Sequence, residues 1–189
     1  MDKRWEHHKG VNKQYLMKSQ IKPPDDEKRR AEDMIQDEEV INIFVDASEL
    51  KYQGIFGLGV CFVGQGEVIV KSKKHYNQLM KKQIIYAELL AIIFALEQIT
   101  TIHKQGLKIL PDIRIFSDLA LIEKLNSTSD LTKNQSINLI ADRIRNLWET
   151  FAEYQPEKKL QIQSMSHRDK RHNPFYKAAH NAARKIIGL

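Results

Sequence analysis

From Glu39 onward the chain alternates short β-rich apolar runs with longer stretches of helical spacing. Residues 40–46 (Val-Ile-Asn-Ile-Phe-Val-Asp) form the first run and residues 56–63 (Phe-Gly-Leu-Gly-Val-Cys-Phe-Val) the second. Gly64-Gln65-Gly66 supplies turn chemistry, and 67–73 follow as a third strand. Three strands joined by short loops predict an antiparallel meander. Residues 80–102 are apolar nearly all round and too long for a strand, so they predict a buried helix. Pro111 marks entry to a fourth strand, 112–117, followed by a short helix over 119–125. A longer amphipathic helix spans 131–153, with Ile137, Ile140, Ile144, Leu147, Trp148 and Phe151 on one side. Residues 158–165 alternate as a fifth strand, 166–173 read as a polar basic loop, and a last helix covers about 174–187. The order βββ-α-β-α-β-α predicts an α/β fold.

Residues 1–39 break from this pattern. They are crowded with charge and hold Pro23-Pro24 and Asp25-Asp26, and only 27–38 have the makings of an exposed helix. Their apolar content is too low for a core of their own. The chain therefore divides into a charged N-terminal extension or tether, 1–39, disordered or docked, and one folded domain, 40–189. Trp5, His7, His8 and Tyr15 among basic residues have the chemistry to stack on and neutralise a nucleic acid strand; a plain tail is the simpler reading.

Charge sharpens the division. Residues 1–39 carry nine Lys/Arg and ten Asp/Glu, whereas 40–189 carry 21 and 14, a balance of +7. From Lys158 to the end there are eight basic residues and one acid. Clustered positive charge on a folded domain suits nucleic acid, and equally a solvated basic surface. The single Cys61 sits in an apolar run, cannot form an internal disulfide, and is expected to pack as a small hydrophobe. The N-terminus is too charged for a signal peptide, and no apolar stretch has the length of a membrane span. A soluble, cytoplasmic protein with no membrane partner is expected.

Three carboxylates fall where such a fold converges. Asp46 ends the first strand, Asp118 ends the fourth (Asp-Ile-Arg-Ile-Phe-Ser-Asp), and Glu88 sits early in the buried helix. A carboxylate ending an apolar strand is costly to desolvate unless something compensates it. Hard divalent cations bound through oxygen do so, which points to metal-dependent chemistry on phosphodiesters. Singly, each has another reading: Asp46 as a turn residue, Asp118 as a helix N-cap for 119–125, Glu88 as the partner of Lys81.

On these residues the chain resembles the ribonuclease H family, of the ribonuclease HI-like and reverse-transcriptase-like kind. Asp46 stands in Asp-Ala-Ser, followed by the glycine-rich Gly57-Leu-Gly59-Val. Glu88, Ala91, Ala95 and Leu96 match the family's Glu-x-x-Ala-x-x-x-Ala-Leu, and Ser117-Asp118 match its Thr/Ser-Asp. The resemblance covers about residues 40–187. It implies a ribonuclease H-like fold, a five-stranded mixed sheet (three antiparallel strands, then two parallel) flanked by helices. Strands one and four would lie side by side, bringing Asp46 and Asp118 together, with Glu88 facing the same spot. The implied activity is endonucleolytic hydrolysis of the RNA strand of RNA–DNA hybrids, with Mg²⁺ or Mn²⁺ as cofactor; separately, a monomer is expected. Two cations about 3.5–4 Å apart would activate water and stabilise the leaving 3′ oxygen. Crowded carboxylates raise each other's pKa, a pressure that metal binding reverses.

The chain departs from the family's Ala-Asp-x-x-Ala, which reads Ala179-His180-x-x-Ala183 here. Imidazole is a poor ligand for Mg²⁺ and neutral near pH 7, so the fourth position loses a negative charge. Some relatives of bacterial and plant type are similar in carrying Ala-His. The substitution implies weaker catalysis or a shift toward Mn²⁺; it also admits an inactive module that binds nucleic acid or protein. A helix histidine facing solvent or capping a neighbour is the plain alternative. Tyr176 replaces the Asn usual four residues earlier, while Asn173 before Pro174 offers a helix start. The family's loop histidine would be His167 or His172, and Asp169 is near enough in sequence to supply a carboxylate. The resemblance thus implies catalytic roles for Asp46, Glu88, Asp118, His180 and His167, with the first four holding metal. Ser48, Arg168, Lys170, Arg171, Asn173 and Lys177 are its implied nucleic-acid contacts, and Arg184 adds to the basic cluster. Two other nuclease types fit less well: proofreading exonucleases want Asp-x-Glu on the first strand, where position 48 is Ser, and transposase-type enzymes want Glu where His180 stands.

Overall fold

The computed structural model describes residues 24–104, 112–127 and 129–189, with side chains except at residues 100–104 and Arg168. Trp5, His7, His8, Tyr15, Pro111 and the Arg168 side chain lie outside the described parts. A five-stranded sheet forms the middle, in the order β3-β2-β1-β4-β5. The strands are β1 Val40–Glu49, β2 Ile55–Gly64, β3 Glu67–Tyr76, β4 Asp112–Ser117 and β5 Leu160–Ser164. The first three pair antiparallel, as short loops require, while β1–β4 and β4–β5 pair parallel. Parallel neighbours need crossovers: helix α2 (Ile84–Lys104) connects β3 to β4, and α3 (Gln135–Tyr154) connects β4 to β5. Helix α1 (Asp25–Gln36) precedes the sheet, and a short α4 (His167–Arg171) and α5 (Pro174–Lys185) end the chain.

Strand alternation sorts residues onto two faces. Ile43, Val45 and Ala47 of β1, with Phe56, Leu58, Val60 and Phe62 of β2 and Ile113 and Ile115 of β4, join the larger core with α2. Helix α2 is apolar all round because it is covered twice, by the sheet below and by Ile137, Ala141 and Ile144 of α3. The opposite face carries a smaller core of Phe44, Cys61, Val63, Met165, Phe175 and Ala179. Its rings Phe44 and Phe116 stack at 5.1 Å, an arrangement worth about 0.5–1.5 kcal/mol beyond burial.

Helix α5 lies on this second face with its backbone against β2. A Cβ added to Gly59 would come within 2.0 Å of the Ala179 carbonyl oxygen, and one at Gly57 within 1.9 Å of that of Ala183. Ala179 and Ala183, one turn apart, are the small residues that permit this seat. Gly59 is the cross-strand partner of Asp46, so the seat of α5 sets what stands over that carboxylate.

Several elements depart from the reading of the sequence. The helix foreseen over 80–102 begins at Ile84, after a 3₁₀ turn at Gln78–Met80. Between them Lys82 adopts φ 64°, its N–H held by the Glu49 carboxylate at 3.0 and 3.1 Å. The segment read as a loop, 166–173, contains α4, closed by a reciprocal capping box between Ser166 and Asp169. Charged α1 is docked by Ala31, Met34 and Ile35, which pack on the smaller core, and by Ile35 and Asp37 carbonyls that accept the N–H groups of Gly66 and Gln65.

Candidate metal centre

Strand β4 stops at Ser117 while β1 runs on to Glu49, and their ladder ends at Phe44 opposite Phe116. Beyond that pair β1 lacks a β4 neighbour, and its N–H groups need other acceptors. The Ala47 N–H donates to Glu88 Oε1 at 3.3 Å. The same gap lets Glu88, from the helix on one face, meet Asp46, which alternation places on the other. Asp118 follows directly on the last residue of β4. Ligand atoms of Asp46, Glu88 and Asp118 all lie within 4.8 Å of one another.

The single-residue alternatives do not match this geometry. The 3₁₀ turn Ala120–Asn126 has Leu119 at its N-cap, with no side-chain cap, and Ser117 Oγ accepts the Leu119 N–H at 3.2 Å. Asp118 is thus left to face the cluster. Glu88 is buried and bonded to Ala47, and no ion pair with Lys81 occurs among the described residues.

Burial dominates the electrostatics. It pushes the Glu88 carboxyl well above the usual range; Asp46 and Asp118 push it further, while the Ala47 N–H and Lys170 oppose the rise. Asp46 is also raised by burial, with His180 and Tyr176 pulling it back. Glu88 Oε2 is buried and finds no hydrogen-bond partner among the described residues. An orphaned carboxylate oxygen beside two further carboxylates is a donor set suited to a hard divalent cation.

Three side chains close over the carboxylates from the C-terminal segment. His180 Nδ1 lies 2.9 Å from Asp46 Oδ2. The Tyr176 hydroxyl lies 2.9 Å from Asp46 Oδ1 and 3.2 Å from Asp118 Oδ2. Lys170 Nζ donates to the same Asp118 Oδ2 at 3.2 Å, across half-buried surroundings. Tyr176 and His180 are one turn apart on α5 with rings stacked at 6.5 Å, so one helix face presents both. Burial and the two carboxylates push the Tyr176 phenol upward, keeping its proton in place.

The remaining foreseen residues distribute as follows. His167 opens α4, is exposed, and makes no hydrogen bond to the cluster among the described residues. His172 lines a separate cavity of about 260 Å³ beside Phe44, Phe116 and α1. Asp169 is occupied by its box with Ser166 and does not supply a fourth carboxylate. Asn173 caps α5, accepting the N–H groups of Phe175 and Tyr176. Ser48 is half-buried on β1 opposite Gly57, while Arg171, Lys177 and Arg184 are exposed. Sequence reasoning gave Tyr176 no role and gave Lys170 only a phosphate contact. The four-residue spacing of Tyr176 and His180 on one amphipathic helix was the available signal for the first.

No protein-family model and no curated protein matches the chain. Solved structures do. The ribonuclease H1 of the halophilic archaeon Halobacterium salinarum superposes with a TM-score of 0.57 at 17% identity, covering 78% of this chain and 97% of its own. LC11 ribonuclease H1, isolated from compost by a metagenomic approach, gives 0.57 at 16% identity, covering 79% and 99%. The N-terminal ribonuclease H domain of a Mycobacterium tuberculosis protein, solved as a fusion with maltose-binding protein, gives 0.54 at 14% identity, covering 78% and 96%. The chain therefore has the ribonuclease H fold.

Proposed function

We propose that this protein is a divalent-metal-dependent endonuclease that hydrolyses the RNA strand of RNA–DNA hybrids. The observation that carries the reading is the convergence of Asp46, Glu88 and Asp118 within 4.8 Å, with Glu88 Oε2 unpartnered, in a ribonuclease H fold. The structural neighbours named as ribonuclease H1 support the substrate class. Asp46, Glu88 and Asp118 would hold Mg²⁺ or Mn²⁺, with His180 beside Asp46 in the fourth position. Bound there, such cations supply an activated water and charge stabilisation at the leaving oxygen. Glu88 is anchored by the Ala47 N–H, so one of its oxygens is oriented before any cation arrives. Ser48 and Asn173, with the basic Arg168, Lys170, Arg171 and Lys177, would position the sugar–phosphate backbone.

A second reading rests on a specific observation. Tyr176, His180 and Lys170 already contact two of the three carboxylates, as they would in a metal-free module that binds without cutting. A labelled hybrid separates the two. The wild type is expected to cut the RNA strand with Mg²⁺ or Mn²⁺. Asp118→Asn should lose more than the roughly 10–100-fold typical of changes outside the ligand shell. In the same assay His180→Asp should raise the Mg²⁺-supported rate. No cleavage by the wild type in either metal would overturn the enzyme in favour of the binding module.

A further inference from the structure

The geometry points to Tyr176 as a cation-displaced latch that sets how tightly the carboxylate cluster takes a divalent ion; this inference rests on the metal-binding reading above. A phenol oxygen within 3.2 Å of both Asp46 Oδ1 and Asp118 Oδ2 occupies the gap between them. A hard cation joining the same two oxygens would stand roughly 2.0–2.6 Å from each, in that same gap. The hydroxyl carries one proton and meets two acceptors, so its hydrogen is directed into the space a cation needs. Both cannot be accommodated. Tyr176 must turn away as the cation enters.

The neighbouring contacts say which groups move and which stay. Lys170 Nζ lies on the Asp118 oxygen that Tyr176 also contacts, so cation entry there displaces two donors at once. Both come from one stretch, α4 and the first turn of α5, so they can withdraw together, while Glu88 keeps its anchor on the Ala47 N–H. His180 engages the other oxygen of Asp46, Oδ2, and is not in the way. Half-buried Tyr176 has a route to solvent, at the cost of its stacking on His180. Hydrogen bonds to carboxylates are the strong kind, and breaking them subtracts from cation affinity.

Removing the hydroxyl alone should therefore tighten cation binding. Tyr176→Phe keeps the ring that packs on the helix. In the full chain, stripped of metal and titrated calorimetrically with Mg²⁺, it is expected to bind about tenfold more tightly, or about 1.4 kcal/mol. A positional readout uses 3-fluorotyrosine in the six tyrosines. The ¹⁹F resonance that vanishes in Tyr176→Phe should shift as Mg²⁺ saturates the wild type. Equal or weaker affinity in the variant, or a resonance unmoved at saturation, overturns the latch while the metal centre stands. Binding by the variant but not by the wild type supports it. Binding by neither removes the latch and the metal-dependent function together.

Discussion

Glu88 is the residue whose energetics are most exposed to experiment. One oxygen holds the Ala47 N–H and the other has no partner among the described residues. Burial and two neighbouring carboxylates raise its folded-state pKa above the ordinary 4.5. The stability linked to this group is then present below about pH 4.5 and is lost as pH rises through the raised value. In metal-free protein Glu88→Gln should be more stable than wild type at pH 7 by roughly 1–3 kcal/mol, the scale of an unsatisfied buried polar group. Urea unfolding across pH should show that advantage shrinking toward pH 4.5, and saturating Mg²⁺ should reduce it at pH 7. A variant less stable than wild type at pH 7 would make the carboxylate a structural fixture instead. At this scale the triad was legible because strand ends and helix position announced it. The roles of Tyr176 and Lys170 were not: Tyr176 sits on a foreseen helix whose contact with the carboxylates is a tertiary fact, and Lys170 on a polar segment with no apolar periodicity to place it.

Among the elements, α5 closes the site. Its seat on Gly57 and Gly59 brings Tyr176 and His180 over Asp46, the cross-strand partner of Gly59. A methyl at position 59 meets backbone, not a side chain that can swing aside. Gly59→Ala should cost at least about 1–3 kcal/mol in urea unfolding. It should also perturb the Asp46–His180 contact, readable in the imidazole resonances of His180. The strand, its glycines and the small-residue stripe of the helix were all readable in sequence. What was not readable is that they touch, since close approach of two backbones is a tertiary fact. Helix α4 was missed for another reason. Its five residues are polar, and the one local signal was the Ser166–Asp169 capping spacing.

Across the whole molecule the sheet divides two kinds of core. The larger one, between sheet, α2 and α3, followed from apolar periodicity alone. The smaller one is assembled from segments far apart in sequence, with three apolar residues of the charged α1 as its outer wall. The helix itself was foreseen, and the choice between a disordered and a docked segment stayed open, because three residues in twelve make a weak stripe. At the centre of that smaller core sits the only cysteine, Cys61, buried completely, its thiol pushed up to about 12 by burial. The chain thus carries its own clock. A thiol reagent should modify native protein only when α1 or α5 lifts from the sheet, so the labelling rate counts those openings. Met34→Asp, which weakens the wall and leaves the carboxylates untouched, should speed labelling by about tenfold for each 1.4 kcal/mol lost from that docking. A rate unchanged by the substitution would mean that α5, and not α1, keeps the time.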